Sequence, residues 1–199
     1  GNLDCIQLFN KGSIGGSANI KVADVKHPDG GYTSEDIFTD VSVTKDITIN
    51  IDDSEFSGLF VVSKANCGGN VKVNINDSWI PYSLYPTYNS TIIAGDFECN
   101  LNNVDTEQFI YGLTSATIAG DATYKIEDCD AVDLYGIDSG TVVGNLDLDI
   151  TNCNSNVLYL CKSADLQGKT SVNVTGGTYG MTDNSDSDTT IYQTIFQNN

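Results

Sequence analysis

With 199 residues the chain is long enough for one domain with a sizeable core, and its 27 acidic against 9 basic residues leave a formal net charge of −18. Every base is a lysine. Such a surface repels phosphate backbones and anionic headgroups, which argues against nucleic acid and charged membranes as partners; no run of about 18 apolar residues is present to predict a spanning helix or direct membrane insertion. Gly1 opens the chain without an initiator Met or a signal peptide, which reads as a mature or trimmed form.

In chain order, IQLF (6–9) with NKGSIGG (10–16) reads as the tail of an incomplete coil that covers the open apolar end of a stack. ANIKV (18–22) then opens a series of alternating pentads: ITINI (47–51), VKVNI (71–75), FECNL (97–101), ATYKI (122–126), LDLDI (146–150) and TSVNV (170–174). Seven matches to a period of two predict seven strands with one buried face. The first coil is longer by about five residues because 26–36 form a loop rich in Pro, Gly and Asp. Residues 78–90 carry the single Trp and two of the three prolines, Pro81 and Pro86, and predict a bulge.

A glycine and a polar residue mark the joints at Gly69-Asn70, Gly95-Asp96, Gly120-Asp121, Gly144-Asn145 and Gly168-Lys169, giving coils of 26, 25, 24 and 24 residues. The expected reason is that glycine reaches positive φ without steric cost. Residues 121–144 and 145–168 superpose without a gap, Tyr124 over Leu148, Cys129 over Cys153 and Tyr135 over Tyr159. A constant period of this length is the mark of a stacked repeat. Each coil holds two further short runs, a second (59–62, 109–112, 134–137, 158–161) and a third just before the joint (91–94, 116–119, 141–143). After Gly177 the repeat is expected to end, with a polar loop at 182–190 and a capping strand at 191–196. The chain is thus read as one domain: a partial coil or cap over 1–16, repeat coils over 17–178, and a carboxyl-terminal cap over 179–199.

Over about residues 18–178 the succession of glycine, Asn or Asp, alternating pentad, Asx-rich turn, Leu-Tyr and glycine resembles the pectate-lyase-like right-handed parallel β-helix proteins. Among them it resembles most the non-enzymatic, adhesin-like surface proteins of bacteria. The resemblance implies an all-β, single-stranded right-handed parallel β-helix of about seven coils of ~24 residues, three short strands in each, with the hand following from the general preference of parallel crossovers. It further implies a non-catalytic, extracellular or cell-surface protein, adhesin-like or glycan-binding, with a glycan or a host or cell-surface protein as partner and no cofactor. The alternative is a carbohydrate-active enzyme of the same fold, a polysaccharide lyase or glycoside hydrolase.

In such enzymes the outer face of the first sheet holds acids that bind Ca²⁺ and an Arg or Lys base. Here the outward pairs are Thr48/Asn50, Lys72/Asn74, Glu98/Asn100, Thr123/Lys125, Asp147/Asp149 and Ser171/Asn173. Lys125 beside Asn100 and Asp149 is the one group that could imitate a lysine base, and neighbouring acids raise a lysine pKa where a base needs it lowered. The simpler reading is a charge ladder, Lys72 with Glu98 and Lys125 with Asp147 and Asp149. The adjacent polar pairs Asp52-Asp53, Asn76-Asp77, Asn102-Asn103, Glu127-Asp128 and Thr151-Asn152 share one slot, which reads as a corner rather than a catalytic pair. No catalytic residue and no metal ligand is assigned, although Asp96 and Asp121, opening successive coils, would repel unless hydrogen-bonded or bridged by a cation.

Six cysteines are present, of which Cys129 and Cys153 share a slot where a bridge could form; buried thiols are expected for most, and His27, the single histidine, argues against zinc. One feature points to binding. If the second strand alternates as the first does, Phe60, Tyr85, Tyr135 and Tyr159 face outward with Ile110 in the slot between, an aromatic row able to meet sugar rings or another apolar surface.

Overall fold

The computed structural model describes residues 7–26 and 34–183. Over these the chain is an all-β parallel solenoid without helices, its turns recurring about 24 residues apart, as in the pairing of Ala122 with Leu146. The seven pentads form the first sheet as strands Ala18–Ala23, Ile47–Asp52, Val71–Trp79, Phe97–Asp105, Ala122–Glu127, Leu146–Thr151 and Thr170–Thr175. The second sheet stacks Gln7–Ile14, Ser34–Val43, Gly58–Ser63, Ser83–Tyr88, Phe109–Thr114, Asp130–Asp138, Asn154–Lys162 and Thr178–Asp183. The third is built of two- and three-residue strands, Asn66–Cys67, Thr91–Ile93, Ala116–Ile118, Thr141–Val142 and Asp165–Leu166, and continues through Ser42 and Val43.

The alternation in the pentads is the cause of this wall: Ile47, Ile49 and Ile51, Val71, Val73 and Ile75, and Leu146, Leu148 and Ile150 all point inward and are buried. Tyr124 occupies the same inward row between Cys99 and Leu148. Its larger ring fits because the slot beneath is the small Cys99 and because Gly112 faces it from the second sheet, where an added Cβ would lie 3.2 Å from Tyr124 Cε1 and overlap the Gly136 carbonyl oxygen. The core thus keeps its volume by exchange between walls, which close packing requires.

Three corners join the walls in each coil, and a third-sheet strand is entered through a left-handed residue such as Lys64, Ser115, Ser139 or Ser163. After each pentad the chain turns through one residue in the left-handed region, and that residue is Asp24, Asp53, Asp77, Asn103, Asp128 or Asn152, with Gly176 and Gly177 in the last described turn. Asn and Asp adopt this conformation most readily of the non-glycine residues. The slot of adjacent acids is therefore a corner.

The glycine joints work for a different reason from the one expected. None of Gly69, Gly95, Gly120, Gly144 and Gly168 has a left-handed φ. They lie so close to the preceding coil that a Cβ at Gly144 would overlap the Gly120 carbonyl oxygen, and one at Gly120 would overlap Asp96 Oδ1. The close approach makes a ladder: Asn70 N–H donates to Asp46 Oδ1 (2.8 Å), Asp96 N–H to Asn70 Oδ1 (2.8 Å), Asp121 N–H to Asp96 Oδ1 (2.9 Å), Asn145 N–H to Asp121 Oδ1 (2.7 Å) and Lys169 N–H to Asn145 Oδ1 (3.1 Å).

Two further expectations change. Pro86 sits inside a strand whose pairing runs from Leu59 with Leu84 to Ser63 with Tyr88, so no bulge interrupts the second sheet. The extra length of that coil is taken up around Pro81 and by a turn with two left-handed residues, Asn89 and Ser90, where Lys64 and Ser115 suffice in the coils on either side. The repeat also continues past Gly177, since Thr178–Asp183 pairs in parallel with the strand before it. The loop residues 27–33, Cys5, and the predicted cap at 191–196 lie outside the described residues.

Gly144→Ala is expected to destabilise the protein by about 2 kcal/mol, because the obstructing atoms are backbone and cannot yield. Gly16→Ala, whose added Cβ meets nothing within 4 Å, is expected to be neutral in the same denaturant titration.

Candidate functional site

On the outer face of the first sheet Lys72 is in register with Glu98; Asn50, Asn74, Asn100 and Lys125 form one row; and Lys125 stands beside Asp149, whereas Asp147 pairs with Thr123. The groups satisfy one another along the row. Asn74 Nδ2 donates to Asn50 Oδ1 (2.7 Å), Asn100 Nδ2 to Asn74 Oδ1 (2.8 Å) and to Glu98 Oε1 (2.8 Å), and Asn173 Nδ2 to Asp149 Oδ1 (3.0 Å). The Lys72–Glu98 pair forms at 2.8 Å. Lys125, in contrast, is exposed and makes no ion pair within 4.0 Å with Asp147 or Asp149, so the charge ladder is only partly built. These side chains lie parallel on a sheet and do not converge on a reacting point.

The hydrogen bonds from Lys72 and Asn100 hold the Glu98 carboxyl below its usual range. A depressed folded-state value means that this stabilisation is present at neutral pH and disappears as pH falls through that value. Both side chains are over a third exposed, and solvent screens the pair.

At the joints, Asp96 and Asp121 each accept a backbone N–H from the next coil, and this relieves the repulsion that a bridging cation would otherwise offset. Among the described residues no group of three or more His, Cys, Asp or Glu is placed to hold a metal ion. Cys67, Cys99, Cys129, Cys153 and Cys161 are buried thiols. Cys153 Sγ donates to the Thr151 carbonyl (3.3 Å) and Cys129 Sγ to that of Glu127 (3.2 Å). The neighbouring Cys153 thiol, with burial, pushes the Cys129 thiol above its usual range, while the same hydrogen bond draws Cys153 below its own.

The outer face of the second sheet is different in kind. Phe60, Tyr85, Tyr111, Tyr135 and Tyr159 stack one on the next, with ring centroids 4.7, 4.6, 4.5 and 4.5 Å apart and interplanar angles of 8, 11, 15 and 9°. Tyr88 leans on Phe60 and Tyr85 at 4.8 and 4.9 Å, and Phe109 on Tyr111 and Tyr135 at 5.8 and 6.3 Å. The predicted members Phe60, Tyr85, Tyr135 and Tyr159 are all in the row, and Ile110 is not. Ile110 pairs with Leu84 and Leu134 and is fully buried, which makes Tyr111 the outward residue. Reading FIYG over LYGI shifts the strand by one, and in a strand a one-residue slip exchanges the two faces. The shared Tyr-Gly dipeptides, Tyr111-Gly112 and Tyr135-Gly136, mark the true alignment.

The rings are half-buried, except Tyr135, which is 7% exposed. Their faces are spent on one another, so edges and hydroxyl rims are what the row presents. Burial first, and then the neighbouring phenol and the charges of Asp133 and Asp138, push the Tyr111 hydroxyl up to about 12; burial and Asp133 do the same for Tyr135, also to about 12. Lys162 Nζ lies 5.4 and 5.6 Å from the ring centroids of Tyr159 and Tyr135.

No protein-family model matches the sequence, and comparisons with curated proteins and with solved structures return no significant match.

Glu98→Gln is expected to cost less than about 1 kcal/mol at pH 7 and nothing once pH is well below the usual carboxyl range, as read from urea melts at both pH values. Tyr111→Ala removes two stacked partners and is expected to cost about 2–3 kcal/mol in the same assay, more than Tyr159→Ala at the end of the row.

Proposed function

We propose that the chain is a non-catalytic binding module, adhesin-like in its use of a rigid β-solenoid and working outside the cell or at its surface, with the aromatic face of the second sheet as its contact surface. The observation that carries this reading is the uninterrupted row of five stacked rings. An aromatic row along an otherwise acidic rod is the type of surface that a glycan or a protein partner contacts. The row is also rigid before any partner arrives, because each ring is held by its neighbours and by the strand beneath it, so little ordering entropy remains to oppose binding.

Catalysis draws little support from the first sheet. General acid–base chemistry needs two groups within reach of one bond, whereas Lys125 makes no ion pair within 4.0 Å among the described residues, and Glu98 with Asn100 and Asp149 with Asn173 are tied to one another. The acidic, Asn- and Thr-rich composition suits an exposed surface protein, and its charge disfavours nucleic acid as a partner.

A panel of neutral, acidic and basic glycans and of immobilised surface proteins, read both for retention of the protein and for release of unsaturated or reducing ends, separates this reading from a lyase or hydrolase. Retention without turnover is expected, lost in Tyr111→Ala and kept in Lys125→Ala. Turnover that disappears in Lys125→Ala would establish the enzyme instead.

A further inference from the structure

Resting on the reading of this face as a binding surface, we propose that its occupant is a lysine-bearing segment of a partner polypeptide, its ammonium groups seated among the phenol rims and the carboxylates of Asp133 and Asp138. The chain's own Lys162 shows that the rim of the stack accepts an ammonium, since Nζ lies beside it, 5.6 and 5.4 Å from the ring centroids of Tyr135 and Tyr159. Lys162 stands in a second outward row, in register with Asp138 of the preceding coil. In the two coils before Lys162 that row holds no cation: it reads Asp138 and then Thr114, and Tyr88 closes it where it leans on Tyr85.

In that row the Thr114 hydroxyl is buried, in a residue only 7% exposed, and offers an outside ligand no accessible acceptor, so the flanking carboxylates carry the site. On the other flank Asp133 is half-buried and pushed above the usual carboxyl range by desolvation. Among the described residues no ion pair reaches it, and a cation beside it would favour the ionised form.

The stacking excludes the competing occupant on geometric grounds. A sugar ring binds to the open face of an aromatic side chain, and here both faces of Tyr85, Tyr111 and Tyr135 are covered by neighbouring rings, which leaves only the end rings Phe60 and Tyr159 a face without a stacked ring. Elsewhere what remains accessible is a set of acceptor oxygens, phenolic and carboxylate, which match the three donors of an ammonium. The net charge of −18 attracts such a partner and repels a second copy of this chain.

The test is calorimetric titration of the full chain with a peptide of alternating Lys and Ser, with the same peptide acetylated at every lysine, and with a neutral β-linked oligosaccharide. The lysine peptide is expected to bind, the acetylated one not. Asp133→Asn with Asp138→Asn is expected to weaken binding about tenfold. Asp147→Asn with Asp149→Asn, an equal change of charge on the first sheet, is expected to alter it less than about twofold. Equal losses in the two double variants would reduce the effect to diffuse charge and overturn the proposal, as would undiminished binding of the acetylated peptide. Binding of the oligosaccharide but not the lysine peptide would overturn it while leaving the binding-module reading intact; binding of neither, to a protein whose melting temperature is unchanged, would remove both.

Discussion

Parallel stacking in constant register sets each side chain directly against its own counterpart one coil away, and the architecture of this molecule is governed by which residues tolerate their own kind as neighbours. Apolar residues do, and the inward rows of isoleucine, valine and leucine are the result. Primary amides do as well, because each can donate to one neighbour and accept from the other, as Asn50, Asn74 and Asn100 show. Ionised carboxylates do not, having no proton to donate. Many acids are accordingly tied to amides or backbone N–H groups: Asn76 donates to Asp52, Asn103 to Asp77, Asn154 to Asp130, and at the joint Asp121 N–H donates to Asp96 and Asn145 N–H to Asp121. Acids do follow one another in places: Asp24, Asp53 and Asp77 share the left-handed corner, where Lys26 pairs with Asp53, and Asp105 meets Asp130, where burial and the neighbour's charge push Asp105 above its usual range.

The same constraint explains the glycines. A coil joint that brings one backbone against the next leaves no room for a Cβ, and the hydrogen bond that each N–H donates to the Asx side-chain oxygen of the coil before it requires that contact. Positive φ is delegated to the other two corners, to an Asx residue after the pentad and to residues such as Lys64, Ser115, Ser139 and Ser163 before the third strand. The corners therefore use different residues for different physical reasons, close approach at the glycine joint and left-handed backbone at the others. Tyr124 shows how far the packing can bend without losing register: a large ring enters one wall, and a small thiol below it and a glycine across from it give back the volume.

For function, the consequence is that chemistry on such a wall is arranged in rows rather than in clusters. Parallel side chains of one sheet point the same way, and their spacing is that of the strands. Such rows suit a surface that contacts an extended partner at several points in succession. The aromatic row is the one place where the repeated group is also apolar and half-exposed, and its stacking decides what it offers: the π-faces are consumed internally, and the oxygens are turned outward among carboxylates. That geometry favours a donor-rich, cationic partner over a planar apolar one.

The seven pentads, the 24-residue period, the Asx corners and the inward place of Cys99 were legible from the chain alone, because alternation and repetition are local properties and stacking merely repeats them. Four of the five stacked rings were legible for the same reason. Tyr111 was not: the second strand of its coil carries Phe109, Ile110 and Tyr111 in succession, three residues that fit either face by hydrophobicity, and only the pairing of Ile110 with Leu84 and Leu134 turns the tyrosine out. Nor could sequence reveal that Lys125 stands apart from Asp147 and Asp149, that Thr114 donates its N–H to Thr87 while its own hydroxyl is buried, or that the aromatic rings cover one another's faces. Those depend on side-chain directions and on distances of a few ångströms between coils, and they are settled when neighbouring coils compete for the same space.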